Sequence, residues 1–261
     1  MLRPDRQSAI LKSLNDRARD GGGVCRIADL SLSLGVSGET VRRDIKLMAR
    51  EGLVRKVHGG VALLDRAREP AFRQRLRENS QAKKAIAEYA AREVHDGDSI
   101  MLDTGSTTAY VAEALLGHRD LTVMTNSVDI ANTLATRNGN RVFMAGGELR
   151  ADDGAVLGAC AVAFIGQFRA HIAFLSVGAI DIEDGLMDYH MSEAEFSRAV
   201  IERAERTIVV ADRSKLGVRA LVRIAGFDAI DCLITDSEPL PAFAKKLHGD
   251  EVRVIVAAKR P

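Results

Sequence analysis

The sequence predicts an α/β protein in two domains, a small basic helical unit followed by a larger unit in which strands and helices alternate. Three observations carry that expectation. Residues 1–82 hold 17 Lys/Arg against 10 Asp/Glu, and residues 83–261 hold 20 against 26, so the net charge of +1 conceals a +7 segment and a −6 segment. A basic module joined to an acidic one is the pattern of a polyanion-binding arm on a separate body. The first 64 residues carry helix periodicity punctuated by glycine and serine, then a glycine-centred hairpin. From Lys83 onward, six short apolar runs each end in a small polar cluster, as in a largely parallel sheet with helices on both faces. The expected division is a basic helical domain over 1–64, a linker over 65–82 and an α/β domain over 83–261.

The first helix is expected from about Pro4 to Arg19, with Ile10, Leu11 and Leu14 on one side and proline at its start, where no N–H partner is lost. Asp20-Gly21-Gly22-Gly23 breaks it. A short second helix follows over Arg26–Leu34, then a tight turn at Gly35-Val36-Ser37. Ser37 caps a third helix running from Gly38 to Glu51 and ending at Gly52. In that helix Val41, Ile45 and Met48 recur at core spacing. Arg43, Lys46 and Arg50 then point the other way, with Arg42 on the flank.

A packed inner stripe under an arginine-rich outer face is the geometry that enters a DNA major groove, where arginine bonds guanine bidentately or grips phosphate. Ser37 and Thr40, at the helix start, are placed for a phosphate or a base edge. Leu53–Val57, His58-Gly59-Gly60 and Val61–Leu64 read as a hairpin. As a wing it brings Arg55, Lys56 and His58 to the sugar-phosphate backbone. These elements compose a winged helix-turn-helix.

The run GVSGETVRRDIKLMAREGLVRKVHGG resembles the N-terminal signature of DeoR-family transcriptional repressors. The resemblance implies an operator-binding unit. One departure is Cys25, where the family has Ser or Thr opening the second helix; cysteine caps poorly, an expected loss of about 1 kcal/mol. The following connection, residues 65–82, holds five arginines and few apolar residues. It is expected as a linker whose arginines are solvated.

In the larger domain Ser99–Leu102 ends in Asp103-Thr104-Gly105-Ser106-Thr107-Thr108, Leu121–Met124 in Thr125-Asn126-Ser127, and Arg141–Ala145 in Gly146-Gly147-Glu148. Ile172–Leu175 ends in a stretch containing Gly178 and Asp181, Thr207–Val210 in one containing Asp212 and Lys215, and Cys232–Ile234 in Thr235-Asp236. In open α/β sheets ligands bind beyond the carboxyl ends of the strands, so these clusters are expected to rim one pocket. Gly105 would let an anion approach the backbone, with Ser106, Thr107 and Thr108 around it at a helix N-terminus. Lys215 supplies a cation, and Asp103, Asp181 and Asp212 accept from hydroxyls. The ligand class these groups describe is a hydroxylated phosphate monoester. No Gly-Lys-Ser/Thr loop and no GxGxxG follows the first strand, which argues against nucleoside triphosphates and dinucleotides.

DTGSTT, TNS, AGGELR and the D.SK and ITD segments recur in order in the DeoR effector domain, so the resemblance spans nearly the whole chain. It implies an α/β fold related to ribose-5-phosphate isomerase and a phosphorylated sugar or polyol as effector. GGELRADDGAVLG and FIGQFR most resemble repressors of glycerol 3-phosphate regulons, which makes glycerol 3-phosphate the leading effector.

An isomerase-like enzyme with an accessory nucleic-acid-binding arm is the alternative. The isomerases carry Gly-Ala-Asp-Glu where this chain reads Gly178-Ala179-Ile180-Asp181, and proton shuttling needs that lost carboxylate. No catalytic residue is therefore expected, and His171 and His190 are read as structural. Cys25, Cys160 and Cys232 are scattered and fit neither a disulfide frame nor a metal cluster, so no metal and no cofactor is expected. With no apolar run of membrane-spanning length and no apolar leader in the first residues, the expectation is a cytoplasmic homodimer or homotetramer on operator DNA.

Overall fold

The computed structural model describes residues 3–19, 24–50, 54–63 and 69–257. In its N-terminal unit α1 spans Arg3–Arg19, β1 Val24–Arg26, α2 Ile27–Leu34 and α3 Gly38–Arg50, and the hairpin is β2 (Val54–Val57) with β3 (Gly60–Leu63). The strands form an antiparallel sheet in the order β1-β3-β2, so the unit is a winged helix-turn-helix. Ile10, Leu11 and Leu14 of α1 meet Leu30 of α2 and Val41, Ile45 and Met48 of α3 in one core. Gly35 ends α2 in the left-handed region (φ 63°), a conformation that costs glycine little. The expected ends at Glu51, Gly52 and Leu64 lie outside the described residues.

Cys25 departs from expectation. It does not open α2 but sits in β1 opposite Val61, 2% exposed, with its Sγ 3.5 Å from the Ser13 carbonyl. The helix starts two residues later, with no side-chain cap. A small apolar side chain is what this core position needs, so no capping energy is forfeited there. Gly60 follows from the same pairing: a Cβ on it would lie 2.5 Å from the Cys25 carbonyl oxygen.

The larger domain is built on seven parallel strands. These are β4 (Ser99–Leu102), β5 (Thr122–Thr125), β6 (Arg141–Met144), β7 (Ala170–Leu175), β10 (Ala204–Val210), β12 (Cys232–Thr235) and β13 (Arg253–Val256). Their order is β13-β12-β10-β7-β4-β5-β6. Alternation along the strands divides two cores. Ile100, Leu102, Ile172, Phe174, Ile208 and Val210 face α5 (Ser80–Ala91), α6 (Ser106–Ala114) and α7 (Val128–Leu134). Met101, Met124, Ala173 and Leu175 face α8 (Ala159–Ile165) and α9 (Met191–Arg203), while Val209 and Leu233 face α10 (Pro241–Gly249). Six of the seven strands fall where the apolar runs predict them; β13 is additional. So is a small antiparallel sheet, β8 (Ala179–Asp181), β9 (Gly185–Asp188) and β11 (Val222–Ala225), in the order β11-β9-β8.

The connection is not a solvated linker. Phe72 of the short helix α4 (Phe72–Arg77) is 3% exposed, and its N–H donates to Asp152 Oδ2 at 3.0 Å. Tyr110 donates its hydroxyl to the Leu76 carbonyl at 2.9 Å. Buried Lys83 reaches back to the Arg75 and Glu78 carbonyls that end α4. The arginines divide: Arg73 and Arg77 are exposed and Arg75 is paired and enclosed, while Arg66 and Arg68 lie outside the described residues. No helix among the described residues is long and apolar enough to cross a membrane.

Candidate functional site

On the N-terminal unit the outer face of α3 and the wing come together. Arg42, Arg43 and Lys46 share a groove of about 410 Å³ with Lys56 of β2. Arg43, Lys46 and Lys56 are exposed, as is His58 at the hairpin turn. Arg42 is held by Glu39 one turn earlier, at 3.3 Å. Ser37 caps the helix by accepting the Thr40 N–H at 3.2 Å, and the two hydroxyls share a hydrogen bond of 2.9 Å. Arg55 lies in β2, but its side chain, like that of Arg50, is outside the described residues. The pitch of α3 against α1 is set by a pair that periodicity does not reveal. Asp44, 2% exposed, accepts from Arg6 Nε at 2.8 Å and Nη2 at 3.3 Å.

In the sheet the strand order reverses between β4 and β7, and that crevice is where doubly wound sheets bind ligands. Asp103, Thr104 and Gly105 leave the end of β4 there. A Cβ on Gly105 would lie 1.6 Å from Ser176 Oγ, so the two loops touch through a position only glycine can fill. Gly105 also opens α6 without a side-chain cap, leaving the first amides of that helix without intrahelical partners. Ser106 and Thr107, in this first turn, are 6% and 4% exposed. Thr104 donates to Asn126 Oδ1 at 3.0 Å, and Asn126 donates to the Val156 carbonyl at 3.0 Å, so the end of β5 braces the same crevice. Burial pushes the Asp103 carboxyl up to about 8, against the pull of the Ser176 N–H.

Several expected ligand groups are spent on the scaffold instead. Thr108 is fully buried and donates to the carbonyls of Asp103 and Gly105 at 2.9 and 3.1 Å; it folds the loop rather than facing a ligand. Ser127 caps α7 through the Ile130 N–H. Gly147 (φ 149°) passes within 2.9 Å of Val156 for an added Cβ, while Gly146 stands in open space. Asp181, 1% exposed, accepts the Glu183 and Asp184 N–H groups through Oδ1, both at 2.9 Å, in the turn between β8 and β9, while its buried Oδ2 has no hydrogen-bond partner among the described residues. Ile180 beside it is fully buried in the core. Asp212 accepts from Ser214 N–H at 2.9 Å and Asn79 Nδ2 at 3.1 Å, closing the turn that presents Lys215. Gly178 holds Lys215 in turn, its carbonyl accepting from Nζ at 3.1 Å.

A separate cleft of about 690 Å³ has polar and charged walls that include Glu69, Arg75, Arg150, His190, Ser192 and Glu193, and none of the groups above lines it. Arg150 pairs with both Asp153 and Glu193. Arg75, on the cleft wall, is among the charges that oppose the upward shift of Asp103. Asp188 has its carboxyl pushed up by burial, then by Glu193 and Glu69. Burial also lowers the Lys83 ammonium to about 8, with Asp212 opposing. His190 is exposed and lines the cleft, its N–H on Asp188 Oδ1 at 3.2 Å. The available signal for the connection was Phe72, an aromatic residue in an otherwise polar stretch. Among the described residues no group of His, Cys, Asp or Glu is disposed to hold a metal.

Two family models match this chain, a DeoR-like helix-turn-helix domain over residues 6–67 and the DeoR C-terminal sensor domain over residues 78–237. The glycerol-3-phosphate regulon repressor of Escherichia coli (strain K12) is 33% identical over 217 residues, 83% of this chain and 86% of that protein. Its namesake in Haemophilus influenzae is 36% identical, over 83% and 85% of the two chains. The HTH-type transcriptional repressor CsqR of Escherichia coli (strain K12) is 34% identical over 90% of each. Among solved structures, the ribose 5-phosphate isomerase of Plasmodium falciparum aligns at a TM-score of 0.39 with 21% identity, over 54% of this chain and 55% of that one.

Proposed function

The chain belongs to the DeoR family of transcriptional repressors, regulators rather than enzymes, and we propose that it represses a carbohydrate or glycerol catabolic operon until a phosphorylated effector, glycerol 3-phosphate in the first place, releases it. The observation that carries the effector class is the uncapped start of α6 at the reversal of strand order, where free amides stand beside Ser106 and Thr107, with the polar cleft of Arg75 and Arg150 on the same domain. A helix N-terminus of that kind favours a compact anion, and the polar walls suit the hydroxyls of a small polyol. The names of the relatives support glycerol 3-phosphate.

The repressor acts in the cytoplasm as a homodimer or homotetramer, because helix-turn-helix units pair to span two half-sites. Effector and operator then weaken each other by the same factor, typically about 1–3 kcal/mol. Thermal shift of the full chain against phosphorylated polyols and sugars identifies the effector, and mobility shift on operator duplex with and without it tests release. Full operator affinity at saturating effector would refute induction.

A further inference from the structure

We propose that Glu69 is a tethered mimic of the effector's anionic group, occupying cations that a phosphorylated effector takes over when it loosens the wing. Its carboxylate bridges two of the enclosed cations: Oε1 lies 3.1 Å from Arg75 Nη1 and 3.5 Å from Lys215 Nζ, with the three side chains only 7%, 11% and 13% exposed. One of the two lines the cleft and the other is reached through Glu69. Arg75 lines the cleft, and Lys215 is held to the Gly178 carbonyl beyond β7. The inference rests on the reading of that cleft as the effector site.

Glu69 is gripped and crowded at once. Arg75 Nε also holds the Pro70 carbonyl at 3.0 Å, so one guanidinium clamps two successive residues of the chain. The neighbours Glu193 and Asp188 are acidic, and Glu69 is among the groups that push the Asp188 carboxyl up. A phosphate dianion brings more charge and more acceptor atoms to the same two cations, and displaces a single carboxylate.

The clamp stands close behind the wing. β3 ends at Leu63 and Glu69 follows it by six residues. The next hold on the larger domain is Phe72, buried and bonded to Asp152, so α4 stays docked when Glu69 and Pro70 let go. Moving the anchor from residue 69 to 72 puts it three residues, about 10 Å of extended chain, farther from β3, while α1 keeps its own contact with α10 through Leu240. A wing whose nearest downstream anchor lies farther off holds its half-site less firmly.

The test uses the full chain and Glu69→Gln, which keeps the shape and removes the charge. Glycerol 3-phosphate, glucose 6-phosphate and inorganic phosphate serve as titration-calorimetry probes, and operator duplex selected by the wild type serves in mobility shifts. Removing a competing internal ligand raises the competent fraction. Glu69→Gln is expected to bind the best probe at least tenfold more tightly, Glu69→Asp to fall between, and probe-free Glu69→Gln to bind operator as weakly as probe-saturated wild type. Binding by Glu69→Gln alone supports the proposal equally. Equal or weaker probe affinity in a Glu69→Gln protein with wild-type melting overturns it, and leaves the effector reading intact if the wild type is still released by its probe. No binding by either protein overturns both.

Discussion

The Asp103 carboxyl accepts the Ser176 N–H with both oxygens, at 3.1 and 3.0 Å, tying the end of β4 to the end of β7 where the strand order reverses. Because burial raises this carboxyl to about 8, the group beside the start of α6 is neutral at pH 7. A neutral neighbour admits an anion; an ionised one repels it. Phosphorylated effector should therefore bind best near pH 7 and lose affinity above pH 8. Asp103→Asn should remove that upper limb, and titration calorimetry from pH 6.5 to 9 reads it. An unchanged limb in the variant would sink the assignment.

The same shift has a consequence for stability. A carboxyl protonated in the folded state and ionised in the unfolded one makes the unfolded state the weaker proton binder between about pH 4 and 8. Stability contributed by Asp103 is thus full below pH 4 and lost as pH rises through about 8, and Asp188, also shifted upward, acts in the same sense. Urea denaturation across that window should show a falling contribution that Asp103→Asn flattens.

Gly105→Ala places a methyl 1.6 Å from Ser176 Oγ. The loops must part, with a destabilisation of about 1–3 kcal/mol. Effector affinity should fall at least tenfold while operator binding persists, giving a repressor that cannot be induced. Calorimetry and mobility shift separate the two effects.

Arg43→Ala removes an exposed cation from the face of α3 that shares a groove with Lys56. Operator affinity should drop by about 1–3 kcal/mol if the contact is to a base. If it is to a phosphate, the slope of log K against log salt should shallow by about 0.9. Effector binding should not change in either case.

Arg6→Met breaks the two-pronged contact with buried Asp44. Hydrogen bonds to a charged group are worth about 1.5–3 kcal/mol, so the N-terminal unit should melt earlier. Operator affinity should weaken although Arg6 lies on the far side of the core stripe.

The sequence makes some of this legible and not the rest, for physical reasons. Val41, Ile45 and Met48 sit in the core as their spacing predicts, because a small helical unit has only one way to bury such a stripe. The apolar runs from Ser99 to Thr235 become strands of one sheet, because buried parallel strands must be apolar on both faces. Which polar residues face the crevice is a different matter. Thr108 looks like a ligand group and is consumed by neighbouring backbone, and Asp181 gives one oxygen to the turn that follows it. Arg75 and Glu69 look like solvated charges and are enclosed together. Such fates depend on contacts between segments far apart in the chain, as Lys215 and Glu69 are, and no local pattern records them.

The position of β4 in the middle of the sheet also orders the life of the chain on the ribosome. β4 pairs with β7, which begins at Ala170, and the far edge awaits β13 at Arg253. The winged unit, by contrast, has its last strand by Leu63. Domains fold as they emerge and distant pairings come late. A transcript that stops early in the sheet therefore yields the operator-reading unit without the sensor. Such fragments would answer to no metabolite, and premature stops in this gene should behave as partial, permanent silencers wherever the fragment survives proteolysis.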